Sequence, residues 1–380
     1  MKKDKYLKIP HNCYLILTSK CNMRCKHCYG NYGMNIPKNE LTGDEWIKVI
    51  EDLSKRKIFF VNISGGEPTV HPDFVKILNA LVKNKIYFML TTNGLFNKKT
   101  LESIKKAKDY ILGVQISLDG YNWKSHGYLR KNINGNASRT IFEKTLFSIK
   151  EIINSGIRTS IATCIHRENI NNIDELKSLI ISLHPNNWSL STISISGRAR
   201  EYEELYVSES KLSNKYWHDL KKSCESKGII VSFIDMPNLV KENKNSKIYY
   251  ECPATKWFCE INSDGLTTPC PLARVNPPKK NIKWDNIKEK SIEEIWNGEA
   301  FETFRKYQNI GCEGCNVKEK CDRCPPQSVQ WFDDPLMPTP YCINNGKALC
   351  LKNFKELTKK LEKSKKKHNR EEYGIKGDDI

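Results

Sequence analysis

The sequence predicts an α/β protein in which six strand–helix units form an open or complete barrel, followed by a small loop-rich domain. Apolar strand-like runs alternate with helix-period stretches up to about residue 235, as in parallel sheets with helical crossovers. After a polar linker at 241–247, residues 250–345 hold eight cysteines, much proline and glycine, and only short apolar runs. Such a segment is expected to be held together by metal rather than by a large core.

Six apolar runs are the predicted strands of the barrel. They are Cys13–Leu17, Phe59–Ile63, Tyr87–Leu90, Ile111–Leu118, Thr159–Ile165 and Trp188–Ile195. The predicted helices between and after them are Thr42–Arg56, Asp73–Asn84, Lys99–Lys108, Ser138–Ser155, Asn172–Leu183 and Ser210–Lys227. Thr42 stands three residues before Glu45, which is the spacing of a capping box. In such a barrel the site lies at the C-terminal ends of the strands.

The predicted domain boundaries follow from this change of pattern. The barrel takes residues 1–240, the cysteine-rich domain 248–345, and a basic helix and tail 346–380. The last helix is predicted because apolar residues recur on one face, at Leu351, Phe354, Leu357 and Leu361.

The net charge of +18 is partly local, since Lys352–Arg370 holds nine basic and two acidic residues. Few aromatic residues stand among these basic residues, which favours a solvated helix and tail over a surface that binds a partner. The alternative is a surface for acidic peptides or nucleic acid.

The interpretation of the 15 cysteines depends on whether the protein is in a reducing or an oxidising compartment. No apolar run is long enough to cross a bilayer, and the N-terminus MKKDKYLKIPHNC lacks the apolar core of a signal peptide. We therefore expect a cytoplasmic protein without a membrane partner. In a reducing compartment cysteines indicate metal ligation or catalysis more than disulfides.

The stretch CNMRCKHC places three cysteines, Cys21, Cys25 and Cys28, directly after the first predicted strand. Three thiolates on a 4Fe–4S cluster leave one iron open. An open iron can bind a small chelating molecule, and S-adenosylmethionine (SAM) offers an amine and a carboxylate for this. Taken alone, the three cysteines could also be three ligands of a zinc site.

Polar segments follow the next three predicted strands as well. These segments are SGGEP (64–68), TTNG (91–94) and SLDG (117–120). Gly65 and Gly66 permit close approach of the backbone to a ligand, and Glu67 can accept a hydrogen bond from an ammonium group. Polar residues at successive strand ends are typical of a site at the mouth of a barrel.

Over most of residues 11–235 the sequence resembles the radical SAM superfamily, whose signature CxxxCxxC is present at Cys21, Cys25 and Cys28. The resemblance implies a partial (β/α)6 TIM-like barrel and catalytic cluster ligation by these cysteines. It also implies reductive cleavage of SAM to a 5′-deoxyadenosyl radical that abstracts hydrogen from substrate. The cofactor-binding residues implied are Tyr29 at the adenine, Gly65, Gly66, Glu67 and Pro68 at the methionyl amine, Asn93, Ser117, Asp119, Arg130 and Arg198.

The C-terminal cysteines, with Gly265 five residues before Cys270, resemble the SPASM extension of this superfamily. That resemblance implies two auxiliary 4Fe–4S clusters, and so three clusters in all. The first would use Cys252, Cys259, Cys270 and Cys324, and the second Cys312, Cys315, Cys321 and Cys342. Zinc is the alternative, but the five-residue gap between the two CxxC pairs is shorter than a usual zinc spacer. Cys13 and Cys164 lie within predicted strands and are expected to be small core residues.

This layout is similar to that of peptide-modifying members, which often have a histidine four residues before an arginine, here His126 and Arg130. We therefore expect oxidative modification of a peptide or protein, of crosslink or thioether type. Sulfatase-maturase activity is disfavoured because Pro271 stands where that activity usually has an aspartate base.

Two partners follow from the same resemblance. Only 20 residues precede Cys21, so a leader peptide would need a separate recognition protein or an exposed edge of this chain. A reductase such as flavodoxin or ferredoxin would supply the electron.

Two alternatives to peptide modification remain. One is an enzyme that decarboxylates tetrapyrrole propionates, and the other is a non-enzymatic, zinc-stabilised basic module that binds nucleic acid.

Overall fold

The fold is seen in a computed structural model that describes residues 6–34, 36–193, 196–205, 207, 215–234, 252–278, 282–309, 324–337, 359 and 363. The chain divides into two compact units. The barrel unit comprises residues 14–246 with 262–264, and the cysteine-rich unit comprises 1–13, 247–261 and 265–380. The predicted linker at 241–247 and the faces of the predicted C-terminal helix lie outside the described residues.

Among the described residues, seven strands belong to the sheet of the barrel unit. They are β1 (Asn12–Ile16), β2 (Phe60–Ser64), β3 (Tyr87–Thr92), β4 (Ile111–Ser117), β5 (Thr159–Ile165), β6 (Asn187–Thr192) and β7 (Ile230–Ile234). They follow one another in sequence order across the sheet, and every pair from β2 to β7 is parallel. The carboxyl ends of β2 to β7 therefore meet at one edge, and Leu17, which follows β1, donates from its N to Ser64 O at the end of β2 at 3.0 Å. This arrangement confirms the predicted fold class.

Strand β7 was not predicted. It pairs with β6 through Asn187↔Ile230 to Ser191↔Ile234, and of its residues only Val231 is buried. Its sequence IVSFI is apolar at four of five positions, so the pattern that predicted the other strands was present here as well.

The helices of the barrel unit cross from one strand to the next. They are α1 (Gly43–Lys55), α2 (Phe74–Lys83), α3 (Lys98–Lys106), α4 (Trp123–Leu129), α5 (Arg139–Asn154), α6 (Ile173–Leu183) and α7 (Lys215–Glu225). The predicted capping box is confirmed, because the Thr42 side chain accepts from Glu45 N while the Glu45 carboxylate accepts from Thr42 N at 2.8 Å. No described helix combines the length and the apolar character needed to cross a membrane.

Among the described helices of this unit, only α4 was not predicted from the sequence. It is only seven residues long and contains Gly127, which weakens helical periodicity. Asn122 starts it by accepting from the backbone N–H groups of Lys124 and Ser125, both at 2.9 Å. The helix ends at Arg130, and so it places that arginine after the end of β4.

In its described residues the cysteine-rich unit contains a short antiparallel hairpin and four helices. They are β8 (Phe258–Ile261), β9 (Thr267–Thr268), α8 (Pro271–Val275), α9 (Ile292–Trp296), α10 (Glu299–Asn309) and α11 (Pro325–Phe332). Its small core is aromatic, with Trp296, Phe301 and Phe304 almost fully buried. The Arg305 guanidinium lies 4.9 Å from the Trp296 ring centre, within cation–π range.

Candidate functional site

Residues 17–33, the cysteine loop, leave β1 at its carboxyl end and carry all three thiols of CxxxCxxC. Two backbone hydrogen bonds hold the loop: Gly33 N donates to Ser19 O at 2.8 Å and so joins its two ends, and Lys26 N, in its middle, donates to Leu129 O at 2.9 Å. Cys25 is buried, whereas Cys21 and Cys28 are partly exposed. The three thiols are thus held together at the edge where the strands end.

The chemistry of these thiols fits a metal cluster. Burial, reinforced by Cys25, raises the pKa of Cys21 to about 12, and burial raises the pKa of Cys25 to about 11. The thiolates therefore need a positive partner, which iron supplies. Among the described residues no three His, Cys, Asp or Glu side chains are spaced for a single metal ion. Ligands of separate irons in a cluster lie farther apart than ligands of one ion.

The two glycines of SGGEP pack on the cysteine loop. Gly66 N donates to Thr18 O at 2.8 Å. Gly65 has φ +146°, and a Cβ there would lie 2.6 Å from Thr18 O. The close approach expected of these glycines is therefore made to the backbone that carries the cysteines.

Glu67 is buried, and its carboxylate accepts four hydrogen bonds from the protein. Thr69 donates through N at 3.2 Å and Oγ1 at 2.6 Å, while Thr92 Oγ1 and Asn93 N each donate at 2.8 Å. Burial raises the pKa of Glu67 and these donors lower it, with a net increase. A carboxylate offers about four acceptor positions, so Glu67 joins the ends of β2 and β3 rather than facing a ligand unpaired.

Asn93 and Pro68 complete this junction. Asn93 Nδ2 donates to Asn22 Oδ1 in the cysteine loop at 2.7 Å. Pro68 is buried and begins a single 3₁₀ turn, where its missing N–H costs no hydrogen bond.

The buried Asp119 and the mostly buried Arg130 form an ion pair that reaches the middle cysteine. Arg130 Nε donates to Asp119 Oδ2 at 2.6 Å, and Arg130 Nη1 lies 4.0 Å from Cys25 Sγ. Cys164 N donates to Asp119 Oδ1 at 2.7 Å. Burial disfavours the charged carboxylate, but Arg130 and His27 outweigh it and hold the pKa of Asp119 well below its usual range. A fixed positive charge therefore stands beside the Cys25 thiol.

Arg198 follows β6 and clamps the cysteine loop. Its Nε donates to Cys25 O at 2.8 Å, Nη1 to Asn31 Oδ1 at 3.0 Å, and Nη2 to Tyr32 O at 3.2 Å. Its backbone N donates to Cys28 O at 3.0 Å. The arginine is 5% exposed, and so its contacts are with the loop that carries the cysteines.

Tyr29 and Ser117, two of the cofactor-binding residues that the resemblance implies, are both partly exposed. Tyr29 is 37% exposed, and its ring meets Tyr32 edge-on at 6.0 Å. Ser117 is the last residue of β4 and is partly buried. Both are therefore accessible to a molecule bound at this edge.

Three histidines around Asp119 were not identified as a group from the sequence. Burial lowers the pKa of His27 and His166 to about 4 and that of His126 to about 3, so all three are neutral at pH 7. Within the part of the chain that the structure describes, His27 Nδ1, His126 Nε2 and His166 Nε2 are buried without a hydrogen-bond partner. His126 had been noted only for its spacing from Arg130, and no sequence signal joined it to the other two.

In the cysteine-rich unit the structure describes four of the eight predicted ligands. Cys252 and Cys324 raise the pKa of Cys270 in addition to its burial, so these three thiols are neighbours. The Sγ of Cys259 lies 3.5 Å from the Sγ of Cys13. Cys312, Cys315, Cys321 and Cys342 lie outside the described residues.

A three-thiol loop at the carboxyl edge of a parallel sheet, with a second group of buried thiols in a separate unit, defines an iron–sulfur enzyme. Residues 15–180 match the family model of the radical SAM superfamily, and residues 252–325 match that of the SPASM iron–sulfur cluster-binding domain. The chain belongs to the radical SAM superfamily, carries a SPASM domain, and uses SAM and iron–sulfur clusters. Its membership makes it an enzyme rather than a zinc-stabilised binding module.

Relatives of known activity match along most of the chain. The AdoMet-dependent heme synthase of Methanosarcina barkeri is 27% identical over 354 residues, covering 86% of this chain and 94% of the relative. The mycofactocin maturase MftC of Mycolicibacterium smegmatis is 26% identical over 342 residues, covering 88% and 83%. The crystal structure of Streptococcus suis SuiB bound to precursor peptide SuiA shares the fold, with TM-score 0.72, 20% identity, and coverage of 87% and 75%.

Proposed function

We propose that this enzyme abstracts hydrogen from a peptide or protein and thereby starts its oxidative modification, of crosslink or thioether type. The observation that carries the proposal is the match to mycofactocin maturase over 88% of this chain, which spans both domains. The shared fold with SuiB, solved with a precursor peptide bound, is compatible with it.

Three 4Fe–4S clusters belong to the proposal. Cys21, Cys25 and Cys28 would hold the first, with one iron open for SAM, and the C-terminal cysteines would hold two auxiliary clusters. When bound, the first cluster supplies the electron that cleaves SAM to a 5′-deoxyadenosyl radical. The domain boundaries at 240, 248 and 345 are part of the same proposal.

The contacts of the predicted cofactor residues divide them into two groups in this proposal. Tyr29 and Ser117, both accessible, would contact SAM directly, as would the backbone at Gly65–Pro68 and Asn93. Glu67, Asp119, Arg130 and Arg198 would be positioning residues. Their polar atoms are committed to the cysteine loop and to the strand ends, so they would fix the thiols and exclude water.

The proposed setting is the cytoplasm, where a flavodoxin or ferredoxin would reduce the first cluster. A separate recognition protein would present the leader of the substrate if the substrate has one.

The test begins with anaerobically reconstituted protein, SAM and dithionite. Formation of 5′-deoxyadenosine is expected, and the Cys25→Ala protein should lose it. Mass spectra of a candidate substrate peptide should then show a loss of two daltons or a crosslink. If Cys25→Ala produces 5′-deoxyadenosine as fast as the parent, the radical mechanism is wrong.

Tetrapyrrole propionate decarboxylation is the second candidate, favoured by the 94% coverage of the heme synthase relative. This reaction also starts with hydrogen abstraction, so 5′-deoxyadenosine alone cannot separate the two. Titration with a porphyrin does: a shifted Soret band with stoichiometric saturation supports the tetrapyrrole, and an unchanged band supports the peptide.

A further inference from the structure

The middle of the cysteine loop pairs with the segment that follows helix α4. An antiparallel bridge joins Met23 to Asn132, and Arg24 N donates to Lys131 O at 2.9 Å. Arg24 therefore lies opposite Lys131. Residues directly opposite each other in an antiparallel pair share a face, and the next pair takes the other face.

The two faces of these paired segments carry different chemistry. Cys25 lies opposite Arg130 on one face, where the Arg130 Nη1 atom is 4.0 Å from the Cys25 Sγ atom. Arg24 and Lys131 are each one position along and therefore lie on the other face. Arg24 is exposed and Lys131 is partly exposed. The thiol and these two cations are thus on opposite sides of the paired segments.

Lys26 adds a third cation to the same side. The pairing continues to this residue, whose N donates to Leu129 O at 2.9 Å, and it stands two positions after Arg24. Its ammonium lies 4.4 Å from the centre of the Tyr128 ring. Burial and the charge of Lys26 lower the pKa of Lys131, so the two cations act on each other. We call Arg24, Lys26 and Lys131 the basic face.

The basic face lacks a counter-charge within the part of the chain that the structure describes. None of the ion pairs formed there includes one of its three cations. The charges of Glu168 and Glu204 act on Tyr128, but neither carboxylate pairs with the basic face. Like charges opposite each other in an antiparallel pair are destabilising. The arrangement therefore suits a partner that brings negative charge.

A hydrogen-bonded turn adds an exposed apolar residue beside the basic face. The Asn132 Oδ1 atom accepts from Asn134 N at 3.0 Å and from Asn136 N at 2.9 Å. Within this turn Ile133 is 65% exposed, two positions after Lys131. A small apolar contact with a charged rim is the usual composition of a protein interface.

The place of the basic face favours an electron carrier over other acidic partners. A carrier bound there lies directly across the paired segments from Cys25, which in the proposed function is a ligand of the first cluster. A substrate peptide must instead reach the mouth of the barrel, at the carboxyl ends of the strands. Electron-transfer complexes are small and weak, and complementary charge speeds their formation.

We propose that the basic face, together with Ile133, is the docking surface for an acidic electron-transfer protein that reduces the first cluster. One electron passes from the reduced carrier to the cluster, and no bond forms or breaks. This inference rests on the proposed function, because it needs a cluster at the cysteine loop.

The test compares two reductants in 5′-deoxyadenosine formation by the full chain with its clusters reconstituted. Photoreduced flavodoxin of net negative charge has to dock, whereas dithionite is a small ion. At low ionic strength Lys131→Glu and Arg24→Glu should each lower the flavodoxin-driven rate roughly tenfold and keep the dithionite-driven rate. The control Lys150→Glu makes the same charge change at an exposed position of α5 and should keep both rates.

A second readout is the oxidation of reduced flavodoxin by the enzyme, followed by stopped-flow absorbance as ionic strength is raised. The parent rate should fall with salt, because salt screens the attraction between exposed charges. Lys131→Met should be slower than the parent at low salt and should depend less on salt. Arg24→Lys keeps the charge and should match the parent.

Other results overturn the inference in recognisable ways. If both charge reversals keep the flavodoxin-driven rate, the carrier docks elsewhere. If Lys131→Met slows the dithionite and flavodoxin reactions equally, Lys131 shapes the cysteine loop instead of a docking surface. If the charge reversals keep the flavodoxin reaction but lose binding of poly-glutamate or of a DNA duplex, the basic face serves an acidic peptide or nucleic acid. If the parent forms no 5′-deoxyadenosine even with dithionite, the proposed function itself fails, which the other results do not imply.

Discussion

Replacing Arg198 with methionine should disorganise the cysteine loop while leaving the barrel folded. The guanidinium makes one buried hydrogen bond, to Cys25 O, and two partly buried ones, to Asn31 and Tyr32. A charged hydrogen bond contributes about 1.5–3 kcal/mol when buried, and about 0.5–1 kcal/mol where water can replace it. The free energy of unfolding should therefore fall by about 2.5–5 kcal/mol.

Two measurements test this reasoning. The first is the free energy of unfolding in urea, and the second is the change that SAM causes in the electron paramagnetic resonance spectrum of the reduced cluster. Arg198→Met should lose most of the SAM-dependent change. Arg139→Met is the matched control, because Arg139 forms only an exposed pair with Glu143 at 2.7 Å, worth about 0–1 kcal/mol. If Arg198→Met keeps the stability and the SAM response of the parent, the clamp is not what holds the loop.

Three further changes have defined outcomes. Asp119→Asn should destabilise the protein by about 3–5 kcal/mol in urea unfolding, because the buried Arg130 loses its counter-charge; a loss below about 1 kcal/mol would contradict the pair's importance. Gly65→Ala should lower the iron bound by the cysteine loop, since a Cβ at φ +146° would press on Thr18 O; iron content equal to that of the parent would contradict this. His166 has its pKa lowered to about 4 by burial, so its contribution to stability is complete above pH 6.5 and is lost as pH falls toward 4. His166→Gln should flatten the decline of the urea midpoint between pH 6.5 and 4, and an unchanged slope would show that another group is responsible.

The strands were the most predictable part of the fold. Thr159–Ile165 has the predicted bounds, and the other five predicted strands differ from the observed ones by one to three residues. These strands are buried in a parallel sheet covered by helices, and such strands have nearly continuous apolar sequences. The run Ile230–Ile234 was recognisable in principle, since it follows a predicted helix and Gly228.

The cysteines of the site could be predicted because ligand spacing within one loop is local in sequence. The partners of the other site residues could not. Glu67 meets donors from β3, 25 and 26 positions later. The contact between Cys13 and Cys259 joins residues 246 positions apart. Such contacts depend on strand order and on the facing of side chains, neither of which a short motif contains.

The clamp by Arg198 has a consequence for biosynthesis. The residue that fixes Cys25 stands 173 positions downstream of it, so a ribosome has released the whole cysteine loop long before its anchor emerges. During that interval the thiols are unburied and open to oxygen or to the wrong metal. Assembly factors that deliver iron and sulfide should therefore act after residue 198 has left the ribosome, and nascent chains halted before residue 198 should take up little of either.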